Sequence, residues 1–435
     1  MRRIGDVVDA MAAFLGAAVA GIALFLPITF SWPADSTPYR VASLINSVPR
    51  GAALGMIVGV AVAVVVTTFG RPVTGWLLAL VGGGGLLINH IAGSHVSSAE
   101  MLTTQNYVDA VCAGALLGAL GAAVLRRPVP AMGFALGTAS FLIFSDVAEL
   151  LEIADNDPYA VLEAPPRWLI VVALIMLFLG ACHNRSTPKE PNAWRVAVEL
   201  PITPILAAMV LGLVMLSVFE WLARQYEQAP DIGHGVDVGL AVVATVLAAT
   251  AAAMLLPGRD GAGVYLAVSL ITTADAFGDA TRPTWNVLGM IALTAVGLAA
   301  GIRFPSYTLA ITVIGVVGAL AIFRTTHDNA IVFVAGGCVL ATVAGYCCST
   351  VHPRYAPSAV LALAALYLPS IVTAMPLVHQ GWPSHDLREH TGTPGTAALA
   401  VTLCSAVGLA VLYRIRPRSR SRPAVEAEDE TFADT

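Results

Sequence analysis

The chain has 435 residues, of which 57% are hydrophobic and only 12% charged, and its mean hydropathy is +0.78. A soluble chain carries about a quarter charged residues, so a share this small leaves long stretches that only lipid solvates. The net charge of −5 offers no basic face to a nucleic acid, and the fold class that remains is an all-α polytopic transmembrane helical bundle.

A helix needs about 20 apolar residues to cross the ~30 Å hydrocarbon layer. The first apolar run, 8–29, exceeds the ~7–15 residues of a signal-peptide core and reads as an uncleaved span after Met1-Arg2-Arg3. Further spans follow at 51–69, 73–92, 106–125, 129–149 and 166–183. A polar linker, 184–201, precedes eight more at 202–223, 236–256, 262–281, 284–302, 306–323, 329–349, 357–377 and 394–414. Residues 1–414 thus form a transmembrane domain of about 14 spans, and 415–435 a disordered tail. The ninth span ends in polar residues and the thirteenth contains Pro369 and Pro376, so these two are the least regular.

Orientation follows from where arginine and lysine flank the spans. With both termini in the cytoplasm, the inner side up to Arg414 holds 12 Lys/Arg and 5 Asp/Glu, and the outer side 7 and 18. The inner turns repeat a pattern in which an arginine meets the headgroups and a proline blocks helix continuation: Arg71-Pro72, Arg127-Pro128, Arg303-Phe304-Pro305 and His352-Pro353-Arg354. In the linker, Ala193 to Leu200 is suited to lie along the membrane surface. The tail's basic block, Arg414, Arg416, Arg418, Arg420 and Arg422, is expected on anionic headgroups. An inner (plasma) membrane location follows.

The six cysteines all lie in apolar runs and read as small packing residues. No Walker loop, Gly-x-Ser-x-Gly elbow or His-Glu-x-x-His helix is present, so no nucleotide, cofactor or metal is expected. The segment His385 to His390 sets its two histidines five apart, which does not place them on one helical face.

Ionisable residues inside membrane spans default to functional candidates. Asp275 falls about 20 Å into the ninth span at 1.5 Å per residue. Asp279 lies one turn on, with Thr272 below. Asp146 and Glu149 sit at helical spacing on span five, Glu220 is near the outer end of span seven, and His90 follows Asn89 near the outer end of span three. Asp109 and Asp237 begin the inward runs of spans four and eight. These residues suggest an acidic outer vestibule that binds an ion or small molecule; sorting of acids to wet outer helix ends is the readier explanation for each of them. In span three, Gly82, Gly83, Gly84 and Gly85 weaken the helix by roughly 1 kcal/mol each relative to alanine and are candidates for a mid-membrane break of the kind transporters use. Close helix packing is the competing explanation.

Three resemblances bear on function. The loop Trp32 to Arg40 is similar to the first outer loop of membrane glycosyltransferases with lipid-linked sugar donors, which implies catalysis by Asp35. Six spans, a linker, six spans and two more resemble flippases of the multidrug/oligosaccharidyl-lipid exporter type, although mid-membrane arginine is absent. Phe69-Gly70-Arg71 keeps only part of the signature that major-facilitator transporters carry after span two, too little to assign that family. As a whole the chain, with 22 arginines to the single Lys189, resembles multi-pass membrane proteins of actinobacteria. The leading expectation is a secondary transporter or lipid-linked-saccharide flippase in contact with membrane lipids. A glycosyltransferase or a non-catalytic scaffold is the alternative.

Overall fold

The computed structural model describes residues 2–29, 38–69, 72–93, 99–144, 164–186, 202–228, 234–277, 285–323, 330–350, 355–375 and 393–416. Among these there is no strand, and fourteen α-helices follow one another. They are α1 (Arg2–Thr29), α2 (Pro38–Phe69), α3 (Pro72–Gly93), α4 (Ala99–Val124), α5 (Pro128–Ala139), α6 (Arg167–His183) and α7 (Thr203–Gln228). Then come α8 (Gly235–Leu255), α9 (Ala262–Phe277), α10 (Trp285–Arg303), α11 (Tyr307–Phe323), α12 (Ala330–Thr350), α13 (Ala356–Ala364) and α14 (Thr393–Ile415). Each falls on one of the fourteen apolar segments of the sequence. Eight are long and apolar enough to cross a membrane by themselves, and the other six are shorter apolar helices.

Two of the short helices depart from the uniform spans expected. α13 gives way to a 3-10 turn at Ala365–Tyr367 instead of continuing to 377. The cause is Pro369, which forces the preceding residue out of the helical region; Leu368 is extended, with φ −75° and ψ 145°. α5 winds down to a 3-10 segment at Ser140–Ile143. There the hydroxyls of Thr138 and Ser140 donate to the carbonyls of Phe134 (3.1 Å) and Leu136 (2.7 Å), a back-bonding that bends helices.

The packing repeats along the chain. In the first six helices, α1 packs on α4, α5 and α6, α2 on α4, and α3 on α4 and α6. In the last six, α9 packs on α12, α13 and α14, α10 on α12, and α11 on α12 and α14, the same pairs moved eight helices on. The two groups meet through reciprocal contacts: α13 against α2 and α4, and α5 against α10 and α12. The α7–α8 hairpin lies beside this seam, α7 against α2 and α8 against α9 and α14.

Small residues draw the closest pairs together. On α2, Gly51, Gly55 and Gly59 face Ala110, Gly114 and Gly118 of α4; a Cβ at Gly114 or Gly118 would strike the carbonyl oxygen of Gly55 or Gly59. The equivalent pair repeats the device. A Cβ at Gly297 of α10 would strike the Thr342 carbonyl of α12, and one at Gly345 of α12 the Thr294 carbonyl of α10. In lipid, where apolar surface gains nothing from leaving solvent, such close backbone contact is what holds helices together.

Candidate functional site at the seam of two broken helices

The two helices that stop short are the fifth of each group, and their ends meet. The Tyr367 hydroxyl, at the close of the α13 3-10 turn, donates to the backbone carbonyl of Thr138 on α5 at 3.2 Å. Phe25 of α1 stands edge-on to Phe141 (5.3 Å between centroids) and Phe144 (6.4 Å), with the Tyr367 ring tilted against it at 6.2 Å. Gly21, one turn before Phe25, makes the space: a Cβ there would lie 2.6 Å from the Tyr367 hydroxyl. All four rings are buried, Tyr367 being 1% exposed. Beside them Ile143 packs with Val287 and Met290 of α10 and Ala341 of α12. At 1.5 Å per residue, both breaks lie about 15 Å from their helix starts, half-way across a bilayer. Such an arrangement can part along an apolar, uncharged surface with backbone groups freed at its centre. The composition of α5 and α13 alone did not reveal it; Pro369 and the Thr138/Ser140 pair were the available signals.

Of the residues singled out from the sequence, the described ones lie on α3, α4, α7, α8 and α9. Asp35, Asp146, Glu149 and Asp279 lie outside the described residues. Asp275 sits half-buried in the last turn of α9, and Thr272 is fully buried with its hydroxyl donated to the Val268 carbonyl at 2.6 Å. Glu220 of α7 accepts from Arg50 of α2 at 2.6 Å and is 3.5 Å from Arg224. His90 pairs instead with α4, as described below.

Gly82 to Gly85 do not break α3, which is helical from Pro72 to Gly93. Three of the four serve close approach. A Cβ at Gly82 would lie 2.7 Å from the Leu116 backbone nitrogen, one at Gly85 2.7 Å from Cys112 Sγ, and one at Gly83 3.0 Å from Leu174 of α6. Only Gly84 faces open space.

A second polar cluster, between α3 and α4, contains His90. Asn89 Nδ2 donates to the Gln105 carbonyl at 3.0 Å and to Asp109 Oδ1 at 2.9 Å. His90 Nε2 lies 3.8 Å from the other Asp109 oxygen.

Two of the arginines expected at headgroups are engaged within the fold. Arg127 Nη1 donates to Asp9 Oδ2 (2.6 Å) and Asn184 Oδ1 (2.9 Å), and Nη2 pairs with Asp6. Asn184 Nδ2 in turn donates to both Asp9 oxygens, at 3.1 and 3.0 Å. Burial alone would lower the Arg127 pKa, but the hydrogen bonds it donates to Asp6 and Asp9 outweigh it and hold the group above its ordinary value. Asp9, fully buried, was missed because it reads as a stray acid in the first span. Arg416 likewise turns back into the fold, donating to the Gly258 and Met254 carbonyls at 2.7 Å each, beside Arg259, which lies 4.4 Å over the Tyr413 ring.

No family model and no curated protein matches the chain. Among solved structures its fold is similar to that of the major facilitator superfamily proton:xylose symporter XylE bound to 6-bromo-6-deoxy-D-glucose. The TM-score is 0.50 at 13% identity, over 96% of this chain and 97% of that one. The peptide transporter POT in complex with alafosfalin aligns at a TM-score of 0.47 and 14% identity, over 95% of each chain. The E. coli fucose:proton symporter FucP aligns at 0.47 and 12%, over 96% of this chain and 99% of that one. At such identities the likeness is one of fold, and the fold is that of a multi-pass helical membrane protein.

Proposed function

We propose that this chain is a secondary transporter that carries a small, uncharged solute by parting α1–α6 from α9–α14 along their seam. The observation that carries the reading is the Tyr367–Thr138 contact, where two helices broken at the same depth meet between groups of helices with the same packing. Repeats of this kind, with discontinuous helices at mid-membrane, are how transporters alternate access. The full-length likeness to a xylose symporter supports it and makes pentoses and other neutral sugars the first solutes to try. A lipid-linked saccharide is a weaker fit, because its pyrophosphate would meet Phe25, Phe141, Phe144 and Tyr367 and no cation among the described seam residues. The asymmetry of cationic turns supports cytoplasmic termini in the plasma membrane.

The test is uptake of a labelled panel of neutral sugars and small peptides into proteoliposomes, with and without a pH gradient. Accumulation above empty vesicles that is altered by Tyr367→Phe supports the reading. A folded, reconstituted protein that moves none of them, or moves them with no effect of the substitution, overturns it.

A further inference from the structure

The α3–α4 cluster has a chemistry that the seam does not use. The His90 side chain is 2% exposed, and neither ring nitrogen has a hydrogen-bond partner. A buried imidazole always carries at least one N–H, so one donor is left unspent. The carboxylate facing it is half-provided for: Asp109 Oδ1 takes the Asn89 amide, while Oδ2 looks toward His90 Nε2 across 3.8 Å. That gap is too wide for a hydrogen bond. Both groups lie within the stretches of α3 and α4 that are long and apolar enough to span a membrane.

We propose that His90 and Asp109 together form a binding site for a single proton. With neutral imidazole and ionised carboxylate the pair carries one buried negative charge, the costly state in lipid. One proton from the adjoining aqueous side, taken up by the Asp109 carboxylate and breaking no bond, makes the pair neutral overall. It also lets the Asp109 acid donate a hydrogen bond to His90 Nε2, for which the two atoms close to ~2.7–3.2 Å. Among the described residues, the titratable and charged neighbours are few. Arg167 at the start of α6 acts on His90 electrostatically, and Cys112 of α4 lies within the field of Asp109. From α2, Ser47 accepts from Asn106 of α4 at 3.2 Å, and Arg50 is engaged by Glu220. α4 also packs on α13, where a Cβ at Gly121 would lie 2.5 Å from Val360. Movement of α4 on protonation is therefore felt at the seam, and the proton becomes the coupling ion; this last step rests on the transporter reading.

Infrared difference spectroscopy of the purified chain in lipid nanodiscs, between about pH 5 and pH 8, tests the site without any transported solute. A carboxylic-acid carbonyl band is expected to grow as pH falls, to vanish in Asp109→Asn, and to shift its midpoint in His90→Gln. Asp237→Asn, in a separate His234 pair at 3.0 Å, keeps the band. Should Asp109→Asn not fold, Asp109→Glu is expected to move the band without deleting it. A band indifferent to every substitution at 109, or absent from the wild type, overturns the proposal and leaves the transporter reading standing. A confirmed band in a protein that transports nothing does the reverse.

Discussion

Tyr367 and Thr138 are 229 residues apart in sequence, yet the hydroxyl of one donates to the backbone carbonyl of the other at 3.2 Å. The bond joins the two groups of helices at the one depth where both fifth helices have lost their regular ladder. A contact of this kind must break whenever the groups separate.

Tyr367→Phe keeps the ring against Phe25 and removes only the hydroxyl. A net hydrogen bond contributes about 1 kcal/mol, so the closed arrangement is expected to lose roughly fivefold in population relative to the open one. Spin-label distances between α5 and α13 read this directly. A distribution identical to that of the wild type would mean that the seam does not open there.

Gly118 and Gly84 are predicted to respond to alanine with opposite signs. At Gly118 a Cβ collides with the backbone oxygen of Gly59, which no side-chain rotation relieves. α2 and α4 must then move apart, and overpacking of this sort costs about 1–3 kcal/mol. Gly84 has nothing within 4 Å of its Cβ position, so alanine there removes only the helix penalty and stabilises by up to ~1 kcal/mol. Thermal unfolding in detergent separates the two, and a stabilised Gly118→Ala protein would contradict the packing.

The apolar segmentation made the fourteen helices legible, because lipid requires every backbone group to be satisfied within its own helix and each apolar run must therefore coil. What the segments do to one another was not legible. Gly82 to Gly85 carry the same composition whether α3 breaks or packs closely, and only the positions of Cys112, Leu116 and Leu174 decide for packing. Arg127 and Arg416 look like headgroup anchors until Asp9, Asn184 and the α8 carbonyls are brought beside them. Phe69-Gly70-Arg71 keeps too little of the major-facilitator signature to point to the solved structures whose fold this chain is similar to.

Arg127→Ala is predicted to be among the most damaging single changes. Among the described residues it leaves the fully buried Asp9 with the Asn184 amide alone, and removing one partner of a buried charge costs about 3–5 kcal/mol. Arg127→Lys is expected to recover only part of this, since one ammonium cannot match a fork that reaches Asp6, Asp9 and Asn184 together. Adding Asp9→Asn to Arg127→Ala removes the stranded charge, so the double variant should unfold at a higher temperature than Arg127→Ala alone. Additive losses would show that the two residues do not share a network.

The α7–α8 hairpin is held at its opposite ends by contacts of unequal strength, and this sets the last prediction. Arg50 and Glu220 join α7 to α2, but their side chains are 45% and 23% exposed, and a pair so open to water contributes about 0–1 kcal/mol. Arg416 joins α14 to the end of α8 by donating to the Met254 carbonyl and to that of Gly258 just beyond it, each bond to a charged group contributing about 1.5–3 kcal/mol. Glu220→Gln should therefore leave unfolding nearly unchanged, whereas Arg416→Ala should lower its midpoint clearly. A chain ended after Arg416 should match the 435-residue chain, and one ended after Ile415 should resemble Arg416→Ala. If loss of Arg416 proves as mild as loss of Glu220, the basic residues at this end act on the bilayer and not on α8.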